Sequence, residues 1–340
     1  MLRPRRAGAV LMMLAGLVAG CGGAVPPSET PEAAPQAALP PLDLPRLLPV
    51  QTQGVARADV GRLLRSPHYP AIAPHLMQIV AEVEDEGARE QIEQLIGQTE
   101  TVVIGLLPDG VVILAEGRYE ANVVGRLAAA SPTSAIATVR GHEVLESVDP
   151  SDDEAPSLAQ VRPDTLVLAA PAEAMELLLA RVNSPPTTGE RWPSRVRENV
   201  AQTDIVNAMV GFALGQSAMG DEPFTFSGRA NLDGALSAEV RLHTTPQFVQ
   251  IASMTVEGLL RGVANEASED HPVLARLPEL TRTRVEGDSV VVSVESDAAT
   301  AETLVPALID LLVEAVGGPS EEQAQEQVEE QVEEPAPAPE

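Results

Sequence analysis

The sequence predicts an α+β fold: two pseudo-repeats of strand–strand–helix–strand–strand–helix, in mostly antiparallel sheets with helices packed on one face. Three observations predict it. Apolar, β-branched runs come in pairs joined by tight turns. Helix-period patterns separate those pairs. Two turn landmarks recur at one spacing: Asp109-Gly110 and Asp233-Gly234 lie 124 residues apart, as do Asp164 and Asp288, each of which precedes a strand.

Residues 102–107 read as a strand, Pro108-Asp109-Gly110 as a turn and 111–115 as the returning strand. Both strands are almost continuously apolar, which puts this hairpin at the centre of its sheet. A helix follows through Val123, Val124 and Leu127 and ends near Ser131-Pro132. Residues 144–148 and 166–170 read as a further strand pair around the acidic loop 149–154. The helix from Ala172 places Met175, Leu178 and Leu179 on one face, with Val182 one turn on.

The second copy repeats the order. Residues 224–232 and 235–242 form a hairpin whose exposed face alternates with Ser, Glu and Arg. The helix from Pro246 carries Phe248, Ile251, Met254, Leu259 and Val263. Residues 281–286 and 290–294 pair around Gly287-Asp288, and a last helix uses Leu304, Leu308, Leu311, Leu312 and Val316 before Gly317-Gly318. A further strand precedes each copy, at 55–58 and 205–214, and 60–98 reads as a helical insertion in copy one.

The ends of the chain differ from this body. Arg3, Arg5 and Arg6 precede an apolar run over 7–19 that is too short for a membrane span, which takes about 20 apolar residues. Small residues then lead to the single cysteine: Val18-Ala19-Gly20-Cys21. This pattern resembles the lipobox of bacterial lipoproteins. The resemblance implies that residues 1–20 are a signal peptide, that Cys21 carries acyl chains, and that the membrane is a partner through those chains. It further implies a cell-envelope location; Gly22, where Asp would mark inner-membrane retention in some bacteria, favours the outer membrane. Residues 21–48, rich in Pro, read as a tether with a reach of roughly 80 Å. Residues 49–190 and 191–318 are the two repeats, and 319–340, with eight Glu and no basic residue, an acidic disordered tail.

Charge and composition exclude several function classes. The formal net charge is −28, and all 22 basic residues are Arg, so no nucleic-acid partner is expected and no Walker or Schiff-base lysine exists. One Cys rules out an intrachain disulfide or a Cys-held cluster. Aromatic residues make up 2%, too few for a stacking surface or a sugar cleft. His68, His75, His142, His243 and His271 show no metal-ligand spacing, so no metal site and no cofactor are expected. His142 next to Glu143 has no identifiable nucleophile, and Gly215-Gln216-Ser217-Ala218-Met219 lacks the second glycine of a nucleophile elbow. The acidic loop 149–154 lacks EF-hand spacing. Trp192, between the copies, reads as a buried junction residue.

The expectation is therefore a lipid-anchored, non-catalytic binding or scaffold protein of the envelope, with no catalytic residue and another envelope protein as its partner. The alternatives are a carrier of an apolar ligand or lipid and, more weakly, a carboxylate-dependent hydrolase.

Overall fold

A computed structural model of the 340-residue chain describes residues 42–74, 86–148, 155–184, 194–202, 208–214, 225–266 and 271–317. The leader, Cys21, His75, the loop 149–154, Trp192, residues 215–219 and the acidic tail lie outside these.

Twelve strands form one sheet, and every pair in it is antiparallel. At its centre β1 (Gly54–Asp59) pairs with β8 (Val210–Leu214). Outward on one side run β2 (Thr99–Leu107), β3 (Gly110–Gly117), β7 (Thr165–Ala170) and β6 (Ser157–Arg162). Outward on the other run β9 (Thr225–Asn231), β10 (Ser237–His243), β12 (Ser289–Glu295) and β11 (Thr281–Glu286). The two orders are the same relative to the chain, so the repeat predicted from the 124-residue spacing is present in the topology. Copy one carries an additional hairpin, β4 (Ser134–Val139) and β5 (His142–Ser147), that extends the sheet beyond β6.

This hairpin alters the predicted pairing. Residues 166–170 were expected to pair with 144–148; instead β7 pairs with β3 and β6, and β5 pairs with β4 and briefly with β6. The turn Arg140-Gly141 has φ of 50° and 86°, the left-handed backbone that suits a tight hairpin. The edge strand β4 is half exposed and lacks an apolar run, which is why it is faint in sequence.

Copy one buries both faces of the sheet. Val102 and Ile104 of β2 and Val111, Ile113 and Ala115 of β3 face α2 (Val60–Arg65), α3 (Glu86–Gln98) and α4 (Val123–Ala130). The alternating Val103, Val112 and Leu114 face α1 (Leu44–Leu47), α5 (Ala172–Asn183) and α6 (Ser194–Gln202). Strands buried on both sides read as continuous apolar runs, so the expected single helical face is corrected here to two. The boundary of the tether is corrected too. Leu44, Leu47 and Leu48 are 3%, 3% and 1% exposed and pack into the same layer as Leu178, so the folded body starts before residue 49.

In copy two the helices that follow β10 lie on one face, while α6, at the start of 191–318, packs on the other. α7 (Val249–Glu266), a 3-10 turn (Pro272–Arg276), α8 (Leu277–Leu280) and α9 (Ala298–Gly317) supply the clusters around Leu274, Leu304, Val305 and Val290. Asp297 caps α9, its Oδ1 accepting from Thr300 N–H at 2.8 Å. The helix from Pro246 turns the opposite way from the sequence reading. Val249, Ala252 and Ala264 are buried, whereas Ile251, Met254, Leu259 and Val263 are exposed. Its residues form two apolar stripes, and the one rich in small residues lies closer to the sheet.

The difference between the copies lies in their final helices. Following the register across the sheet, α5 packs on the face opposite to α4, while α9 packs on the same face as α7. Beyond α6, the second face of copy two therefore carries Ser227, Arg229, Glu239, Arg241, His243, Arg282, Arg284 and Glu286 around the buried Val291, in line with the polar alternation of its first hairpin.

Candidate functional site

On that polar face, where α6 meets the ends of β9, β10 and β12, lies a cavity of about 490 Å³. Glu198 and Asn199 of α6 form one wall. Thr225, Arg241, His243 and Ser289 come from strand ends, Thr244 and Thr245 from the chain leaving β10, and Glu286 and Asp288 from the β11–β12 turn. Polar side chains are sunk deep in its walls: Asn199, Thr225, Thr244 and Ser289 are 3%, 5%, 7% and 2% exposed.

The sheet register makes the central contact. His243 is the cross-strand partner of Ser289, and His243 Nδ1 lies 2.8 Å from Ser289 Oγ. Ser289 Oγ in turn donates to Asp288 Oδ1 at 3.2 Å. The hydroxyl has one proton. Directed to the carboxylate, it leaves Ser289 Oγ to accept from Nδ1–H, so that Nε2 carries the lone pair. Directed to Nδ1, it would leave two acceptor oxygens facing each other. The first arrangement satisfies all three groups and makes His243 Nε2 a hydrogen-bond acceptor. Nε2 is buried and has no partner among the described residues, and the same is true of Thr244 Oγ1 and Thr245 Oγ1.

The charges of the wall divide into two groups. Arg284 Nε meets Glu286 Oε1 at 2.5 Å, and Arg284 Nη2 meets Glu239 Oε2 at 3.2 Å. Arg241 Nη2 reaches Glu286 Oε2 at 3.2 Å and Glu239 Oε1 at 3.7 Å. The hydrogen bond from Arg284 and the charge of Arg241 hold the Glu286 carboxyl below its ordinary 4.5. Glu198 and Asp288 have no arginine partner among the described residues.

Burial, and then the charge of Arg241, hold the His243 pKa below its ordinary 6.5 against the opposing pull of Asp288 and Glu198. The ring is therefore neutral at pH 7. As pH falls through 6.5 the unfolded chain gains this proton before the folded one does, so stability is expected to fall with pH in that window. Glu116, whose pKa burial and the charge of Asp164 raise above 4.5, acts in the opposite sense. The denaturation midpoint of His243→Asn is therefore expected to fall less between pH 7 and 5.5 than that of the unmodified chain. Equal slopes would show that His243 titrates as it does in the unfolded chain.

The other described histidines, His68, His142 and His271, make local contacts. His68, 3% exposed, has Nε2 2.5 Å from the Gly234 carbonyl oxygen and joins copy one to the β9–β10 turn beside the Arg62–Asp233 pair. His142 Nε2 meets Asn183 Oδ1, at the end of α5, at 2.9 Å. His271 lies 3.8 Å from Asp310. No group of three or more His, Cys, Asp or Glu among the described residues is arranged to hold a metal ion. Sequence reasoning missed the grouping of His243, Ser289 and Asp288. Its signal was the cross-strand register of β10 and β12, which are 46 residues apart at this contact and not consecutive in the chain.

Ser289 and His243 have the contact of a nucleophile and a base, but the third group is misplaced. Asp288 touches the serine and leaves the far ring nitrogen unheld, and Ser289 is 2% exposed. The arrangement suits holding a polar molecule better than acyl transfer.

No family model matches the chain, and no curated protein matches it. Among solved structures, crystal form III of TP0453 superposes with a TM-score of 0.50 at 12% identity, covering 80% of this chain and 99% of that one. Crystal form I of TP0453 gives 0.49 at 12% identity, with 80% and 98% covered. The likeness is one of fold.

Proposed function

We propose that this chain is a lipid-anchored binding protein of the bacterial cell envelope, with the polar cavity beneath α6 as its ligand seat. The observation that carries the envelope reading is the leader that runs from Arg3 through the apolar stretch to Val18-Ala19-Gly20-Cys21. Two or three acyl chains on Cys21 supply a stable anchor, since each buried CH₂ contributes about 0.8 kcal/mol. No helix among the described residues is long and apolar enough to cross a membrane. An anchor of this kind needs none.

The cavity supports binding as the activity. Its size falls within the roughly 300–1,000 Å³ of small-ligand sites. His243 Nε2, Thr244 Oγ1 and Thr245 Oγ1 are buried without a partner among the described residues, and a ligand that supplies donors would satisfy them. The lining is polar, so it favours a polar ligand over the apolar cargo of the carrier alternative.

Labelled palmitate tests the anchor. The unmodified chain is expected to incorporate the label and sediment with membranes. Cys21→Ser is expected to lose the label completely. Full labelling of Cys21→Ser would overturn the envelope reading.

A further inference from the structure

We propose that the cavity beneath α6 seats the ammonium group of a small polar amine. This rests on reading the cavity as a ligand site, and adds the chemical class of the ligand.

Three features of the wall set that class. The hydrogen-bond relay from His243 Nδ1 through Ser289 Oγ to Asp288 Oδ1 leaves Nε2 as an unfilled acceptor, which calls for a donor. Glu198 and Asp288 face the imidazole from α6 and from the β11–β12 turn, and both act on its charge. Neither is neutralised by an arginine among the described residues, so the cavity carries uncompensated negative charge. An anionic ligand would meet two carboxylates without an arginine partner among the described residues, and the arginine that lines the cavity, Arg241, is already paired with Glu239 and Glu286.

A neutral polyol could fill the hydroxyl positions but would leave both charges unmatched. A bare metal ion fits no better, because the described residues hold no group of three ligating side chains. A primary ammonium suits the wall. It carries three N–H donors on one positive centre, and charge-assisted bonds to carboxylates are the strong ones. The buried hydroxyls of Thr244 and Thr245 remain for other polar atoms of the same molecule.

Polyamines and amino sugars share this chemistry, and separate arms of one titration distinguish them. The full-length lipidated chain in detergent micelles is titrated calorimetrically with spermidine and with glucosamine. Glucose serves as the uncharged counterpart, and tetramethylammonium as a cation without N–H donors. At least one amine is expected to bind about tenfold more tightly than glucose and tetramethylammonium. Asp288→Asn and Glu198→Gln are each expected to weaken that amine about tenfold, and Thr244→Val to weaken it less. The exposed Glu302 of α9 controls for the net charge of −28, so Glu302→Gln is expected to change nothing. A thermal midpoint matching the unmodified chain shows that each variant is folded.

Equal losses in Glu302→Gln and Asp288→Asn would overturn the proposal, because they would show attraction to the overall charge. Glucose binding as tightly as glucosamine, with both weakened by Thr244→Val, would overturn the ammonium class and keep the cavity as a ligand site. Probes that bind without responding to any cavity variant, or no binding by any probe, would overturn both.

Discussion

Gly117→Ala is expected to destabilise the body by about 3 kcal/mol or more, seen as a fall of roughly 6–12 °C in the thermal midpoint. Gly117 ends β3 opposite Thr99 of β2. A Cβ there would overlap the Gln98 carbonyl oxygen and come within 2.9 Å of Thr99 Cα. Both obstacles are backbone, so no rotamer change relieves them. The neighbouring Thr99 Oγ1 is 2.9 Å from Tyr119 Oη in a buried contact, which a shift of β2 would also disturb. Gly258 is the control: it lies in α7 with nothing within 4 Å of its added Cβ, and Gly258→Ala is expected to be neutral or stabilising by about 1 kcal/mol. A Gly117→Ala midpoint within two or three degrees of the unmodified protein would mean that the strands part easily there.

The second large effect is a coupling. Leu48→Ala is expected to cost about 2–5 kcal/mol, because the side chain is 1% exposed and fills the layer above β2. Beneath it lies Gly105, where an added Cβ would be 2.7 Å from Leu48 Cδ2 and 3.0 Å from Val112 Cγ2. Gly105→Ala alone is therefore expected to destabilise by overpacking, by about 1–3 kcal/mol. Combined with Leu48→Ala, the new methyl occupies part of the space the leucine leaves. The double variant is expected to be more stable than the sum of the single effects by about 1 kcal/mol. Additive costs measured by denaturant titration would refute direct packing of this leucine on this glycine.

The same contact shows where sequence reading stopped. Leu44, Leu47 and Leu48 stand among prolines, and a short proline-flanked segment has no period long enough to mark a helix. Its place in the core is visible only once β2 supplies a glycine beneath it. The strands were more legible. Asp109-Gly110, Asp233-Gly234, Asp164 and Asp288 all mark hairpin turns in the sheet, and the 124-residue spacing reflects a shared strand order.

Two features escaped that reading for different reasons. The hairpin β4–β5 lies at the sheet edge, where half-exposed residues dilute the apolar pattern. The inverted face of α7 escaped because the stripe of larger residues is the exposed one. Of the candidate site, only the polar alternation of β9 and β10 was legible. The rest depends on β12 lying beside β10, a long-range pairing that local pattern does not encode.

The pairing of β1 with β8 also bears on how the chain comes into being. Ala58 waits for a partner about 150 residues downstream, and contacts that distant close late. During synthesis, a chain that has completed only its first copy holds Gly54–Asp59 as an open edge, with backbone donors and acceptors facing outward. That edge can recruit a foreign strand until residue 214 arrives. A chain kept unfolded until its second half is made would avoid that interval, so folding after synthesis suits this topology better than stepwise folding during it.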